Sequence, residues 1–278
     1  MLKRTITGLI IVLLIIPVCI FWHTWILPVF VAALSLLGVY EILGCIGMRR
    51  VWVVSIPAAL LAAVAPIGAR LFSSRLFISL YTLVMFTYLV LILSAAVFSR
   101  GSIDVEKIGM SYASVFYVIT AFTAMILLCE RRFGNYVLLM TIFGPWITDV
   151  FAYLTGRLFG RHKLIPEISP KKTVEGAIGG IVFCTLAAVL FGFVLSKTAD
   201  DITAVGYLPL AIAGFLISIL SQIGDLILSA VKRRYAIKDF GWILPGHGGI
   251  LDRFDSVIGV VPVMLILFEF PEFFHFFM

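Results

Sequence analysis

The chain has 278 residues, 62% of them hydrophobic and only 13% charged, with a mean hydropathy of +1.14. A soluble domain carries roughly 25% charged residues, so this composition excludes a soluble fold and places the chain in a membrane. The formal net charge of +6 reflects membrane topology and contact with anionic lipid, and no nucleic-acid partner is expected.

Continuous apolar runs of about 20 residues, without period-two alternation, predict helices and not a barrel. Nine are expected, at about 5–22, 25–45, 51–69, 76–98, 108–128, 134–156, 175–196, 206–228 and 254–271. They are bounded by charge or turn residues such as Arg49-Arg50, Arg100-Gly101-Ser102 and Glu130-Arg131-Arg132. The expected fold class is an all-α polytopic integral membrane protein. The first run follows Lys3-Arg4 but lacks a small-x-small cleavage site, so it reads as an uncleaved transmembrane helix. With the N-terminus cytoplasmic, sixteen Lys and Arg residues face the cytoplasm and five the other side, the bias expected of positive-inside topology. Residues 1–278 read as one transmembrane domain, with generic helices over 1–130 and catalytic helices over 131–278 that carry two cytoplasmic polar segments, 157–174 and 229–253. Cys19, Cys45, Cys129 and Cys184 lie in or beside apolar segments without a CxxC pair, which predicts inert packing and neither a disulfide framework nor a zinc site.

Chemistry begins at Asp149, inside the apolar run TIFGPWITDVFAYLTG. A carboxylate there is costly. It either pairs with a basic residue on a neighbouring helix or binds a cation or nucleotide group, and the second reading is favoured. Tyr153 shares its face at i+4. In the first polar segment, Ser169, Lys171, Lys172 and Thr173 precede a helix expected to start near Thr173. A helix N-terminus behind two lysines attracts phosphate, a reading preferred to simple anchoring on anionic lipid. Glu175 can cap that helix, bind metal or balance Lys172. Gly176 and Gly180 form a small-xxx-small pair suited to helix packing.

In the run SILSQIGDLILSAVKRR, residues Asp225, Ser229, Lys232 and Arg233 fall at i, i+4, i+7 and i+8, a polar stripe on an apolar helix. A solvated helix end accounts for Lys232, Arg233 and Arg234, but not for Asp225 and Ser229 deeper in. The stretch from Ser229 to Asp255, SAVKRRYAIKDFGWILPGHGGILDRFD, gathers charges of both signs beside Pro245-Gly246-His247-Gly248-Gly249, which cannot be ordinary helix interior. That combination suits a phosphate and a divalent cation. The flanking glycines let backbone approach a ligand at His247, which could contact phosphate or shuttle a proton; zinc is not expected without a second His or Cys nearby. Asp252 and Asp255, at i and i+3, face the same way if the last helix begins near Ile250. With Asp225 they could hold a hard divalent cation through oxygen. The competing account is capping of the helix N-terminus by acids, which suits Asp252 better than Asp255. His275, in the terminal aromatic cluster PEFFHFFM, reads as an interfacial anchor.

The stretch closely resembles the signature of the phosphatidate cytidylyltransferases, also called CDP-diacylglycerol synthases. The resemblance rests on Ser229, Lys232-Arg233, Lys238-Asp239, Gly241, Pro245, His247-Gly248-Gly249, Asp252-Arg253 and Asp255. A second family segment of the type SPKKTxEG is matched by Ser169-Pro170-Lys171-Lys172-Thr173-Val174-Glu175-Gly176, and Asp149, Tyr153 and Gly156 also resemble family positions. The likeness covers about 145–260; the N-terminal half matches only as generic spans. It implies the reaction of CTP with phosphatidate to give CDP-diacylglycerol and pyrophosphate at the cytoplasmic face of the cell membrane. One or two magnesium ions on Asp225, Asp252 and Asp255 would serve it, with Lys171, Lys172, Lys232, Arg233 and Lys238 clamping phosphates. Asp239 and His247 join the expected catalytic set. Asp149, Ser169, Thr173, Glu175, Ser229, Gly248, Gly249 and Arg253 join the expected binding set. Two rivals remain at this point: a CTP-dependent polyprenol or phytol kinase, which would release CDP, and an ion-coupled transporter using Asp149 and Asp225. The abundant apolar surface suggests a homodimer.

Overall fold

The computed structural model describes residues 22–243, 248–270 and 274–277. The helix expected over 5–22 lies outside them, as does His247. Seven helices among the described residues are long and apolar enough to cross a membrane, and the chain is a helical, multi-pass membrane protein. It divides into two compact units, one made of residues up to Glu130 with Arg234–Phe254, the other of Arg131–Arg233 with residues from Asp255 on.

The first unit contains α1 (Ile26–Ile46), α2 (Trp52–Leu71), α3 (Ser74–Phe98) and α4 (Val105–Cys129). Helix α4 is its centre: from Ala121 to Cys129 every residue is buried, because apolar residues occupy all faces of that stretch and not one stripe. Helices α1 and α2 pack on it. Gly38 permits the α1 contact, since a Cβ there would lie 3.1 Å from Val118 and 3.2 Å from Leu251. Gly47 ends α1 in the left-handed conformation, φ 81°, with its N–H turned back onto the carbonyls of Gly44 and Leu43. Pro57 and Pro66 sit inside α2, where neighbouring helices can compensate for the missing donors. Asp104 caps α4 by accepting from the Glu106 N–H at 2.9 Å.

The second unit contains α5 (Gly134–Phe159), a hairpin of β1 (Lys163–Ile165) and β2 (Ser169–Thr173), α6 (Val174–Thr198) and α7 (Tyr207–Arg234), whose last residue belongs to the first unit. The described residues from Asp255 onward belong to it as well. Helices α5 and α6 press together backbone to backbone. A Cβ on Gly176 would lie 2.6 Å from the Ala152 carbonyl oxygen, and one on Gly180 would lie 3.0 Å from that of Thr148.

Two features depart from the expected elements. The first polar segment folds as an antiparallel hairpin, pairing Lys163 with Thr173 and Ile165 with Ser169. The last apolar segment is two eight-residue helices, α8 (Leu251–Ile258) and α9 (Val261–Phe268), separated at Gly259-Val260. Pro262 causes the break, because it has no N–H to give the Ile258 carbonyl.

Candidate active site

In the second unit, Asp225 lies near two carboxylates from other helices, Asp149 and Asp255. Asp149 of α5 is opposite Lys172, Asp225 and the Ser256 hydroxyl. Asp225 of α7 and Asp255 of α8 are hydrogen-bonded through their side chains, with Lys232 near both. The glycine before Asp225 makes this possible: a Cβ at Gly224 would come 2.8 Å from the Asp255 carbonyl oxygen, so only glycine lets α7 and α8 approach so closely. The Ser229 hydroxyl donates to Asp225 Oδ1 at 3.2 Å, one turn along the stripe. Asp255 Oδ1 accepts from the Ser256 N–H at 2.8 Å.

Lys172 Nζ lies 2.5 Å from Asp225 Oδ2, with both side chains mostly covered. The hairpin delivers this ammonium into the carboxylate group. Arg233 Nε donates to the Ile168 carbonyl at 3.4 Å, tying the hairpin turn to the end of α7. Glu175 accepts from the His162 N–H and lies 2.7 Å from His162 Nδ1, which closes the hairpin's first strand onto α6. Thr173 is the N-cap of α6, accepting from the Gly176 N–H at 3.1 Å. A cleft of about 250 Å³ opens beside these groups, with Asp149, Tyr153, Arg157, Lys171 and Lys172 among its walls. In the sequence Arg157 reads only as a topological charge; its place two turns after Asp149 on one helix is the signal that marks it.

The signature loop belongs to the first unit and has its own organisation. Asp252 Oδ2 accepts from the Phe240 N–H at 2.8 Å and the Gly249 N–H at 2.9 Å. Gly248 has φ 82°, and a Cβ there would lie 2.8 Å from Asp252 Oδ2. The two glycines therefore admit a carboxylate of the protein itself. Lys238, Asp239 and Arg253 are exposed, and Asp239 lines a second cleft with Arg49 and Arg50. Glu41 of α1, inconspicuous in a generic apolar span, accepts from the Ile250 and Leu251 N–H groups at 2.9 Å each. A lone acid in an apolar run, the same signal that singles out Asp149, marks it in the sequence.

The carboxylate oxygens of Asp225 and Asp255 are the donors a hard divalent ion takes, and two acids facing each other in a low-dielectric site call for a cation or a proton. Among the described residues no group of three or more Asp, Glu, His or Cys side chains is placed to hold a metal ion. An ion that retains water and substrate oxygens does not need one, so magnesium fits this donor set.

A polytopic membrane fold with acids and ammonium groups on its inner helix faces matches a family model described as the cytidylyltransferase family over residues 2–271, and the chain belongs to that family. It is therefore a nucleotidyltransferase enzyme. Among its relatives are proteins named phosphatidate cytidylyltransferase. That of Staphylococcus haemolyticus (strain JCSC1435) is 35% identical over 269 residues, covering 95% of this chain and 97% of its own. Those of Staphylococcus aureus (strain COL) and Staphylococcus epidermidis (strain ATCC 35984) are 35% and 36% identical over 268 residues, with the same coverage.

Proposed function

We propose that the protein transfers CMP from CTP to phosphatidate, giving CDP-diacylglycerol and pyrophosphate. The observation that carries this reading is the meeting of the helix residues Asp149, Asp225, Asp255 and Lys232 with Lys172 of the hairpin. A phosphate oxygen of phosphatidate attacks the α-phosphorus of CTP, and the bond from that phosphorus to the pyrophosphate oxygen breaks. Phosphatidate arrives ionised, so the step requires no strong base. Lys171, Lys172 and Lys232 hold the phosphates in line and offset their charge. Arg157, on the cleft wall, adds a planar donor suited to phosphate.

Magnesium, one or two ions, would be held by Asp225 and Asp255 and would neutralise triphosphate charge. Asp149, opposite Lys172, helps to aim it. The site opens to the cytoplasm of the cell membrane in this proposal, which the placement of Lys and Arg supports. The assembly is proposed as a homodimer.

The test is to incubate the purified protein with phosphatidate, magnesium and cytidine-labelled CTP. The label is expected in the organic phase, with one pyrophosphate released per transfer. Release of CDP with a phosphorylated lipid would overturn the reading.

A further inference from the structure

The turn between α1 and α2 carries two adjacent arginines, Arg49 and Arg50, both exposed. Among the described residues neither is in an ion pair. Arg49 is nonetheless fixed. Its N–H donates to the Leu43 carbonyl at 3.1 Å, and the Val51 N–H closes the turn on the Met48 carbonyl at 3.1 Å. Its guanidinium lies over the Tyr40 ring, 4.5 Å from the centroid. It also lies against Gly44, where a Cβ would be 3.6 Å from Nη1.

An arginine that only marks the inner face of a membrane needs no such seat, and a lysine would do the same work. A guanidinium held by a ring and a helix backbone keeps its planar fork of donors in one direction. Stacking uses its flat face, so the N–H edge stays available to an acceptor. A cleft of about 400 Å³ opens there. Arg49, Arg50 and Tyr40 line it from the helix side, and Asp239, Trp242 and Ile243 from the segment before the glycine loop, all within the first unit. Glu41 borders it too, but its oxygens are taken by the Ile250 and Leu251 N–H groups.

Two neighbouring guanidiniums without a counter-charge call for an anion, and phosphate matches the fork. The level of the cleft says which phosphate. It sits where α1 ends at Ile46 and α2 begins at Trp52, helices of 21 and 20 residues that are long enough to cross the hydrocarbon layer. Trp52 is 73% exposed, Trp242 88% and Ile243 37%. Exposed tryptophan beside arginine at the ends of spanning helices is the composition of the headgroup layer. A free anion has nothing to bury on that apolar rim, whereas a lipid does.

We propose that this cleft binds the phosphate of an anionic phospholipid headgroup, seated on Arg49 and Arg50. It is built from other residues than the carboxylate and lysine group of the second unit and does not depend on the transfer reaction. Asp239, exposed on the facing wall, accepts from a hydroxyl of the same headgroup, which makes a glycerol headgroup the fitting probe.

The experiment uses the full chain in detergent, without CTP or phosphatidate. Melting temperature is followed against dihexanoyl phosphatidylglycerol, a short-chain lipid. Wild type is expected to show a saturable rise, and none with dihexanoyl phosphatidylcholine, whose ammonium offsets its phosphate. Arg49→Lys keeps the charge and loses the fork; its half-saturation should rise about tenfold, the worth of one charge-assisted hydrogen bond. Tyr40→Leu keeps the arginine and loses its seat, for a rise of about two- to fivefold, the worth of a partly exposed cation–π contact. Unchanged half-saturation in Arg49→Lys overturns the proposal, because charge alone would then suffice. An equal rise with phosphatidylcholine overturns it as well. So does inorganic phosphate that saturates at the same concentration, which would leave a free-phosphate site, or CTP that displaces the lipid, which would leave a nucleotide site. If Arg49→Lys does not fold, Tyr40→Leu decides by the same comparison.

Discussion

Lys172 and Asp225 meet at 2.5 Å, an ion pair between the hairpin that precedes α6 and the polar stripe of α7. Each side chain keeps roughly a quarter of its surface, but the Lys172 Nζ atom is itself enclosed, so the pair is poorly screened by water.

Removing one partner should therefore be costly in two ways. Breaking a buried pair costs about 3–5 kcal/mol, and partial exposure puts this one at the lower end. Lys172→Met is expected to lower the melting temperature in detergent and to cut turnover at least 100-fold. Equal turnover in the variant and wild type would show that the pair is structural only.

Asp225→Asn and Asp255→Ala are expected to abolish cytidylyl transfer while the protein still elutes as a folded species. Chelation of divalent ions from wild type should do the same, and added magnesium should restore it. Near-normal transfer in either variant would remove that carboxylate from the metal assignment.

Gly224→Ala places a methyl 2.8 Å from the Asp255 carbonyl oxygen, a backbone atom that cannot swing away. Overpacking of this kind costs typically about 1–3 kcal/mol. The two helices must separate, and Asp225 moves off Asp255. Turnover is expected to fall more than tenfold, with a melting-temperature change that is small by comparison. Steady-state kinetics beside a melting curve checks it.

Glu175→Gln weakens the clasp on His162 that closes the hairpin. A three- to tenfold rise in KM for CTP is expected, with kcat changed less than twofold. A fall in kcat at unchanged KM would place Glu175 in the chemical step instead.

Gly249→Ala should mimic loss of Glu41 from the other side of the same contact, because the added carbon overlaps the carboxylate. The melting temperature is expected to fall, and a double variant with Glu41→Leu should be no worse than the worse single one. Full additivity would separate the two effects.

Much of the unit that holds Asp225 is legible in the residue pattern alone. The stripe of Asp225, Ser229 and Lys232 follows from helical arithmetic, and Ser229 does bond Asp225 one turn away. Asp149 stands out because charge in an apolar run demands a partner. Local spacing does not say which cation meets it. Lys172 reaches the group through a hairpin of three- and five-residue strands, too short to leave a clear alternating pattern. Glycines mislead in one respect: at Gly248 and Gly249 the tight approach is to Asp252 and Glu41, acids of the same chain.

Apolar length and helical periodicity are properties of neighbouring residues, so membrane insertion, the seven described spans and the polar stripe of α7 are written into the primary structure. Which acid faces which ammonium is different. Glu41 and Leu251 are 210 residues apart, and the bond between their atoms exists only because close-packed helices bring two distant stretches within 2.9 Å. Burial then turns those long-range meetings into strong interactions, and no local window of sequence contains that information.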